Sequence, residues 1–177
     1  ATRFPVQLDD IDAAISFIES KKQVWQIKSD EIAAMGSSAG AHLSLLDAFS
    51  RNKGKNIKTI ISMAGFTDFA DVSVSANPQI SGRVTEFLGA AYLDNKVIWE
   101  KASPINYLQD AVPVLIFHGD MDVVAYPIQT QRLKDSLDKR LSPCKYIVWS
   151  GYCHGRFPYW NESKDTMLEW LQEYLLK

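Results

Sequence analysis

The sequence has few cysteines, no long apolar run and no cluster of basic residues. Its two cysteines, Cys144 and Cys153, flank a segment with the pattern of a β-strand. An extended strand would hold them further apart than the roughly 7 Å that a disulfide permits. We therefore expect separate thiols, which leave the cellular compartment open. No segment approaches the roughly 18 apolar residues of a membrane span.

The charges are nearly balanced, with 19 basic and 21 acidic residues and a net charge of −2. Nucleic acid is therefore not an expected partner, because phosphate binding needs concentrated positive charge. The 177 residues, 46% of them hydrophobic, predict one globular domain spanning 1–177. The chain starts at Ala1, with neither an initiator methionine nor a signal peptide, which suggests a processed or cropped chain.

Strand and helix patterns alternate along the chain. Apolar runs predict strands at 32–35, 59–64, 114–118 and 145–149. Apolar residues with helical spacing predict helices near 8–21, 39–50, 133–141 and 167–174. This alternation is typical of the α/β class, with a mainly parallel sheet flanked by helices. The first strand has the composition of a central strand, and residues 66–112 are predicted to form a cap-like insertion over the carboxyl edge of the sheet.

Two serines follow the first predicted strand, between Gly36 and Gly40. A serine hydroxyl is a weak nucleophile until a base removes its proton. In a strand-turn-helix elbow, the residues two before and two after the nucleophile must be very small. Centring on Ser38 puts Gly36 and Gly40 there, whereas centring on Ser37 puts the bulky Met35 at one of these positions. We predict Ser38 as the nucleophile, against the alternative of a plain glycine-serine turn.

Two aspartates follow the third predicted strand and are candidates for the carboxylate of a catalytic triad. Asp120 directly follows Gly119 and suits a turn, a common place for aspartate. Asp122 lies further into the loop, where the apolar Val123 and Val124 could hold it. A carboxylate just past this strand can reach the same edge of the sheet as the serine, and we favour Asp122 because of these apolar neighbours.

The chain has three histidines, and His154 is the one that follows the last predicted strand in a loop. His42 lies on the helix after the serine, where it is expected to be a packing residue or a residue of the helix surface. His118 ends a buried strand, where a structural histidine is expected. A metal site formed by His118, Asp120 and Asp122 is a weaker alternative, because their spacing matches no recognised motif. We expect neither a metal nor a cofactor.

The candidates run in the order Ser38, Asp122, His154, which is the order of the α/β-hydrolase triad. The sequence resembles α/β-hydrolase esterases and lipases, a group that includes the hormone-sensitive-lipase-like and feruloyl-esterase-like carboxylesterases. The resemblance covers nearly the whole chain. The residues that carry it are Gly36–Leu43, Ala102–Pro104, His118–Val124 and His154-Gly155, with Phe4-Pro5, Asp9 and Ala13-Ala14 in the segment before the first strand.

The resemblance implies that Ser38 attacks an ester carbonyl, that His154 transfers the proton and that Asp122 orients the imidazole. It also implies that the backbone N–H of Ala39 contributes to the oxyanion hole. Aromatic side chains near these motifs are candidates for the substrate pocket, with plain packing as the alternative: Phe66, Phe157, Tyr159 and Trp160.

The implied function is that of a serine carboxylesterase acting through an acyl-enzyme on a short-chain or carbohydrate-linked ester. A prolyl-oligopeptidase-like serine peptidase shares the fold and the order of the triad, and is the first alternative. A weakly active fragment or pseudoenzyme with a binding role is the second.

The sequence departs from this group at its beginning. Relatives have further strands there, and a His-Gly-Gly type loop that supplies oxyanion donors, but nothing in residues 1–31 matches that loop. Arg156 also stands where relatives more often have an aromatic residue. Loss of one oxyanion donor costs about 10²–10³ in rate. A sheet without its first strands has an exposed edge, so we expect a missing N-terminal portion, a homo-oligomer or a partner that covers this edge.

Overall fold

The computed structural model describes residues 2–28, 30–155 and 160–176, with side chains from residue 163 onward in the last segment. The strands are β1 (Ile32–Ser37), β2 (Ile57–Met63), β3 (Val114–Gly119) and β4 (Cys144–Trp149). The helices are α1 (Val6–Trp25), α2 (Ala39–Ser50), α3 (Val72–Ser75), α4 (Pro78–Leu88), α5 (Lys96–Lys101), α6 (Pro127–Asp138) and α7 (Trp160–Tyr174), with a 3₁₀ helix at Pro104–Asp110.

The four strands form one parallel sheet in the order β1-β2-β3-β4. Helices cover both of its faces, and β3 is buried along its whole length because it lies between them. Val114 and Ile116 of β3 pack with residues of α2 and α6, whereas Leu115 and Phe117 pack with α7. This alternation follows from the two-residue period of a strand. The predicted α/β architecture is therefore confirmed.

Two details of the secondary structure differ from the sequence expectations. β1 is an edge strand of this sheet and not a central one, and its Met35 side chain is 55% exposed. An apolar strand composition cannot distinguish an edge from a centre when the neighbouring strands are unknown. Leu141 was expected on the buried face of α6, but that helix ends at Asp138 and Leu141 is 92% exposed.

The segment between β2 and β3 contains α3, α4, α5 and the 3₁₀ helix. Its apolar side chains share a hydrophobic cluster with Leu8 of α1 and Leu46 of α2. Hydrogen bonds also attach it to the buried Gln129 of α6, which accepts from Thr67 N–H at 3.1 Å and donates to the Asp68 carbonyl at 3.0 Å. These contacts attach the segment to α1, α2 and α6.

Helix α1, the longest in the structure, packs against α2. Within the described ranges, no helix is long and apolar enough to cross a membrane. Arg51, just past the end of α2, bonds Asp9 and Asp12 of α1 at 2.6 and 3.1 Å.

Asp47 of α2 is buried, and its Oδ1 has no hydrogen-bond partner among the described residues. Burial, with a smaller contribution from the charge of Asp12, raises the pKa of Asp47 to about 6.

We expect Asp47→Asn to stabilise the protein more at pH 8 than at pH 4. The carboxyl ionises near pH 3.9 when unfolded and near pH 6 when folded. Stability is therefore lost as the pH rises through this window, and the full penalty is present above it. The amide does not ionise, so the free energy of unfolding should gain about 1–2 kcal/mol more at pH 8 than at pH 4.

Urea denaturation of wild type and variant at both pH values measures this difference. Asp10→Asn, at an exposed position of α1, changes the net charge equally and serves as the control. An equal effect of Asp47→Asn at pH 4 and pH 8 would contradict the prediction.

Candidate active site

Ser38 lies at the sharp turn between β1 and α2. Its backbone has φ 53° and ψ −120°, and residues with a side chain rarely adopt a positive φ. Such a conformation costs of order 1–3 kcal/mol and persists where the surroundings enforce it. One restraint is the hydrogen bond from Ser38 N–H to the carbonyl of Met63, at the end of β2, at 2.9 Å. Ser38 thus has the strained turn expected of a nucleophile elbow.

The two glycines that flank Ser38 differ in their surroundings. A Cβ on Gly36 would lie 2.3 Å from the carbonyl carbon of Gly40 and 2.6 Å from the N of Ala41, both backbone atoms. A Cβ on Gly40 would meet no described atom within 4 Å apart from its chain neighbours and the nearby backbone of its own helix. Only Gly36 is therefore required by close packing of strand and helix. The expectation that both positions must be very small is wrong for Gly40.

Asp122 lies in the loop after β3 and is 2% exposed. Its Oδ1 accepts hydrogen bonds from the N–H groups of Val124 and Ala125, at 2.8 and 2.9 Å. The backbone of the loop thus holds this carboxylate, and the side chain of Val123 is 70% exposed. The expectation that apolar side chains hold Asp122 is therefore wrong. Backbone amide groups hold it instead.

His154, in the loop after β4, joins Ser38 and Asp122. Its Nδ1 lies 2.7 Å from Asp122 Oδ2, and its Nε2 lies 2.8 Å from Ser38 Oγ. A carboxylate only accepts hydrogen bonds, so Nδ1 carries the proton and Nε2 can accept the hydroxyl proton of Ser38. The structure therefore brings these three predicted residues into one hydrogen-bonded chain.

The carboxyl group of Asp122 is held in its ionised form. Burial raises its pKa, but hydrogen bonds from His118, from His154 and from Val124 N–H outweigh burial and hold that pKa well below the ordinary range. An ionised carboxylate beside His154 favours the tautomer with a proton on Nδ1, and it would stabilise a positive charge on the ring.

Asp120 connects the loop after β3 to the loop that carries His154. Its Oδ1 accepts from Gly151 N–H at 2.7 Å, and its own N–H donates to the Trp149 carbonyl at 3.1 Å. The loops also approach closely at Gly119, where a Cβ would lie 2.2 Å from the carbonyl oxygen of Tyr152. The two aspartates thus have different partners. Asp122 binds the imidazole of His154, whereas Asp120 binds the backbone of the loop that carries it.

The other two histidines are engaged elsewhere. His42 is buried, donates from Nε2 to the Ala102 carbonyl at 2.7 Å and lies 4.2 Å from the Phe69 ring. Burial lowers its pKa to about 4, so it is neutral at pH 7. Its expected packing role agrees with this position. The expected structural role of His118 agrees with its full burial, but His118 also contacts Asp122, as described below.

The alternative of a metal site has no support in the described part of the chain, where no group of three or more His, Cys, Asp or Glu residues is arranged to hold an ion. Both cysteines are free, as predicted. Burial raises the pKa of Cys144 to about 12, so its thiol is a poor nucleophile at neutral pH.

The residues predicted for the substrate pocket are only partly described. Phe66 is half-buried and its ring lies 5.7 Å from that of Phe69, within the hydrophobic cluster of the β2–β3 segment. Phe157, Tyr159 and the side chain of Trp160 lie outside the described residues. The pocket role of all four stays a prediction.

Sequence reasoning missed the contact between His118 and Asp122 and the loop contact of Asp120. The available signal for the first was the spacing of His118 and Asp122, four residues apart across a glycine at the end of a strand. The second had no signal in the sequence, because it depends on two strands being neighbours in the sheet.

The chain is similar to a curated esterase. It is 25% identical over 145 residues to Esterase LipQ of Mycobacterium tuberculosis, a match that covers 76% of this chain and 34% of that protein. The chain thus spans about a third of the length of this relative.

Solved structures share the fold. A truncated form of a carbohydrate esterase from gut microbiota has a TM-score of 0.76 and 22% identity, with 95% of this chain and 69% of that chain covered. The acylaminoacyl peptidase of Pyrococcus horikoshii has a TM-score of 0.77 and 19% identity, with 96% and 28% covered. At these identities the likeness establishes the α/β-hydrolase fold, which esterases and peptidases share.

A family model matches the larger part of the chain. The model is that of BD-FAE, and it matches residues 1–137, a range that includes Ser38 and Asp122 and ends before His154. The match extends over the elbow, the segment between β2 and β3 and the loop after β3. The protein belongs to the BD-FAE family.

Proposed function

We propose that this chain is a serine carboxylester hydrolase in which Ser38, His154 and Asp122 form the catalytic triad. The observation that carries this proposal is the continuous hydrogen-bonded path from Ser38 Oγ through both ring nitrogens of His154 to Asp122 Oδ2, at 2.8 and 2.7 Å. A nucleophile within hydrogen-bonding distance of a base, with a third group orienting that base, is the arrangement that activates a serine.

In the proposed first half-reaction, His154 Nε2 removes the proton of Ser38 as Oγ attacks the ester carbonyl. The carbonyl oxygen becomes an oxyanion next to the start of α2, where the first N–H groups of a helix have no intrahelical partner. The N–H of Ala39 can donate to it. His154 then gives its proton to the alcohol oxygen as the carbon–oxygen bond breaks, which leaves an acyl group on Ser38.

In the second half-reaction, water takes the place of the alcohol. His154 Nε2 removes a proton from the water as its oxygen attacks the acyl carbonyl, and the same proton returns to Ser38 Oγ when the acid leaves. Asp122 stays ionised throughout and stabilises the imidazolium formed in each step. The pKa of Asp122, held below the ordinary range, supports this role.

The proposed substrates are short-chain acyl esters or esters carried on a carbohydrate. Similarity to Esterase LipQ supports an ester substrate, and the likeness to a carbohydrate esterase is compatible with a sugar component. A prolyl-oligopeptidase-like peptidase is the second candidate, because the fold is also that of an acylaminoacyl peptidase. We propose that residues 66–112 act as a cap-like part of this single domain and that Phe66 contributes to the pocket.

The chemistry is tested by covalent labelling and by turnover. We expect a fluorophosphonate probe to label the wild-type protein at Ser38, because the probe phosphonylates only a serine activated by a base. Hydrolysis of p-nitrophenyl acetate and butyrate, of an acetylated oligosaccharide and of aminoacyl p-nitroanilides separates an esterase from a peptidase. Turnover of the anilides alone would favour the peptidase.

Matched variants identify the nucleophile. Ser38→Ala should abolish labelling and turnover, whereas Ser37→Ala, at the exposed last residue of β1, should retain both. Folded wild-type protein that never labels would remove the esterase proposal and leave the binding role of a pseudoenzyme. Labelling that survives Ser38→Ala and disappears in Ser37→Ala would assign the nucleophile to the neighbouring serine.

A further inference from the structure

His118 is a fully buried histidine near the end of β3. Its imidazole contacts the carboxylate of Asp122 in the candidate triad. Its Nε2 lies 2.7 Å from the carbonyl oxygen of Ala125 and 3.1 Å from Asp122 Oδ2. A carbonyl oxygen only accepts, so Nε2 carries a hydrogen. This one N–H is shared between the Ala125 carbonyl and the carboxylate.

The other ring nitrogen is also engaged. His118 Nδ1 lies 2.8 Å from Thr130 Oγ1 of α6, which lies 3.1 Å from the hydroxyl of Tyr146 on β4. Thr130 Oγ1 can donate its one hydrogen to Nδ1, and the Pro127 carbonyl oxygen also lies 3.0 Å from this hydroxyl. Contacts from α6 and from the loop after β3 therefore fix the ring at both nitrogens.

His118 differs from the other groups that bind Asp122. The N–H groups of Val124 and Ala125 belong to the same loop as the carboxylate, so they do not connect it to the sheet. His118 belongs to the central part of the sheet. It donates to Oδ2, which is also the oxygen that binds His154 Nδ1. His118 thus fixes the position of this oxygen relative to the sheet.

We propose that His118 is a positioning residue, which holds Asp122 Oδ2 in place to accept the hydrogen bond from His154. The consequence for catalysis rests on the proposed function, whereas the effect on the hydrogen bond between Asp122 and His154 does not. The ring of His118 would touch neither substrate nor the reacting atoms, and it would act through Asp122.

Two amide substitutions distinguish the contact that Nε2 makes with Asp122 from the contact that Nδ1 makes with Thr130. In His118→Gln, the terminal amide reaches about as far as Nε2 and has two N–H groups, one for the Ala125 carbonyl and one for Asp122. In His118→Asn, the amide is shorter, reaching only about as far as Nδ1 towards Thr130. We expect His118→Asn to lower kcat for p-nitrophenyl butyrate about 10–100-fold with KM within about twofold, by analogy with groups that orient metal ligands. His118→Gln should restore most of kcat.

A spectroscopic measurement tests the geometry without requiring turnover. The proton between His154 Nδ1 and Asp122 should give a far-downfield resonance in the proton NMR spectrum of the wild-type protein. We expect this resonance to shift or disappear in His118→Asn and to return in His118→Gln. Disappearance of the same resonance in His154→Gln assigns it.

The outcomes separate this proposal from the proposed function. Wild-type protein that neither labels nor hydrolyses esters removes the function, and the NMR comparison still decides the role of His118. An unchanged resonance and unchanged kcat in His118→Asn would overturn the positioning role. Equal losses in both variants that follow a fall in thermal stability would also overturn it, because a merely structural residue behaves in that way.

Discussion

Replacing Asp122 by asparagine is expected to lower kcat by about four orders of magnitude, the size of effect seen when a triad carboxylate becomes an amide. Asp122 accepts two backbone N–H groups on Oδ1, and two imidazole N–H groups on Oδ2. Backbone amides cannot change from donors to acceptors. The oxygen of an asparagine must therefore face them, and its NH₂ group must face His154 and the N–H of His118, which keeps only its bond to the Ala125 carbonyl.

This orientation would put the wrong proton on His154. To accept from the asparagine NH₂ group, Nδ1 must lose its hydrogen, and the neutral ring then carries it on Nε2. A protonated Nε2 cannot take the proton of Ser38, so the general base is lost although each heavy atom stays in place. Initial rates on p-nitrophenyl butyrate measure the loss, and circular dichroism checks the fold.

Asp120→Asn is the matched control. Asp120 Oδ1 accepts one hydrogen bond, from Gly151 N–H at 2.7 Å, and an asparagine oxygen accepts the same bond. We expect its rate to stay within a few-fold of the wild type. If Asp120→Asn were the inactive variant and Asp122→Asn the active one, the triad carboxylate would be Asp120, the alternative that the sequence left open.

Gly36→Ala is expected to destroy the elbow, and Gly40→Ala to preserve it. The methyl group on residue 36 would lie 2.3 Å from backbone carbon of residue 40, so β1 and α2 would have to separate. Overpacking against side chains costs typically 1–3 kcal/mol. Here the methyl group would meet the backbone of residues 40 and 41, which cannot move aside as a side chain can. We therefore expect the free energy of unfolding to fall by about 3 kcal/mol or more. We also expect labelling at Ser38 to be lost.

Gly40 provides the matched control because it lies in the same motif. It belongs to the first turn of α2, and a Cβ there has open space. Alanine is favoured over glycine in a helix by about 1 kcal/mol, so Gly40→Ala should be neutral to stabilising and should still label. Thermal or urea unfolding of both variants measures the difference. Similar destabilisation by the two substitutions would contradict the packing described for Gly36.

Much of the fold could be predicted from the sequence because it depends on local patterns. Alternating strand and helix periods were enough for a parallel sheet with helices on both faces. The place of each strand in the sheet is not local. β1 has the apolar composition of a central strand, yet it lies at the edge of this sheet, with Met35 exposed. The composition of a strand shows that it can be buried. Whether it is buried depends on the order of the strands in the sheet.

The candidate site was predictable where chemistry and chain order restrict the choice. Glycine spacing singled out Ser38, and the loops after successive strands offered Asp122 and His154, which the structure places within hydrogen-bonding distance of one another. Their catalytic role stays a prediction that the labelling experiment decides. The contact of Asp120 with Gly151 was not predictable, since it depends on β3 and β4 being neighbours in the sheet.

The contact between the loops after β3 and β4 makes the segments that carry Asp122 and His154 one structural unit. Gly119, Asp120 and Met121 meet the carbonyls and the amide of residues 149–152. A residue inserted into either loop would separate the carboxylate from the imidazole unless the other loop changed to match. The two loops must therefore change together, in evolution or in protein engineering.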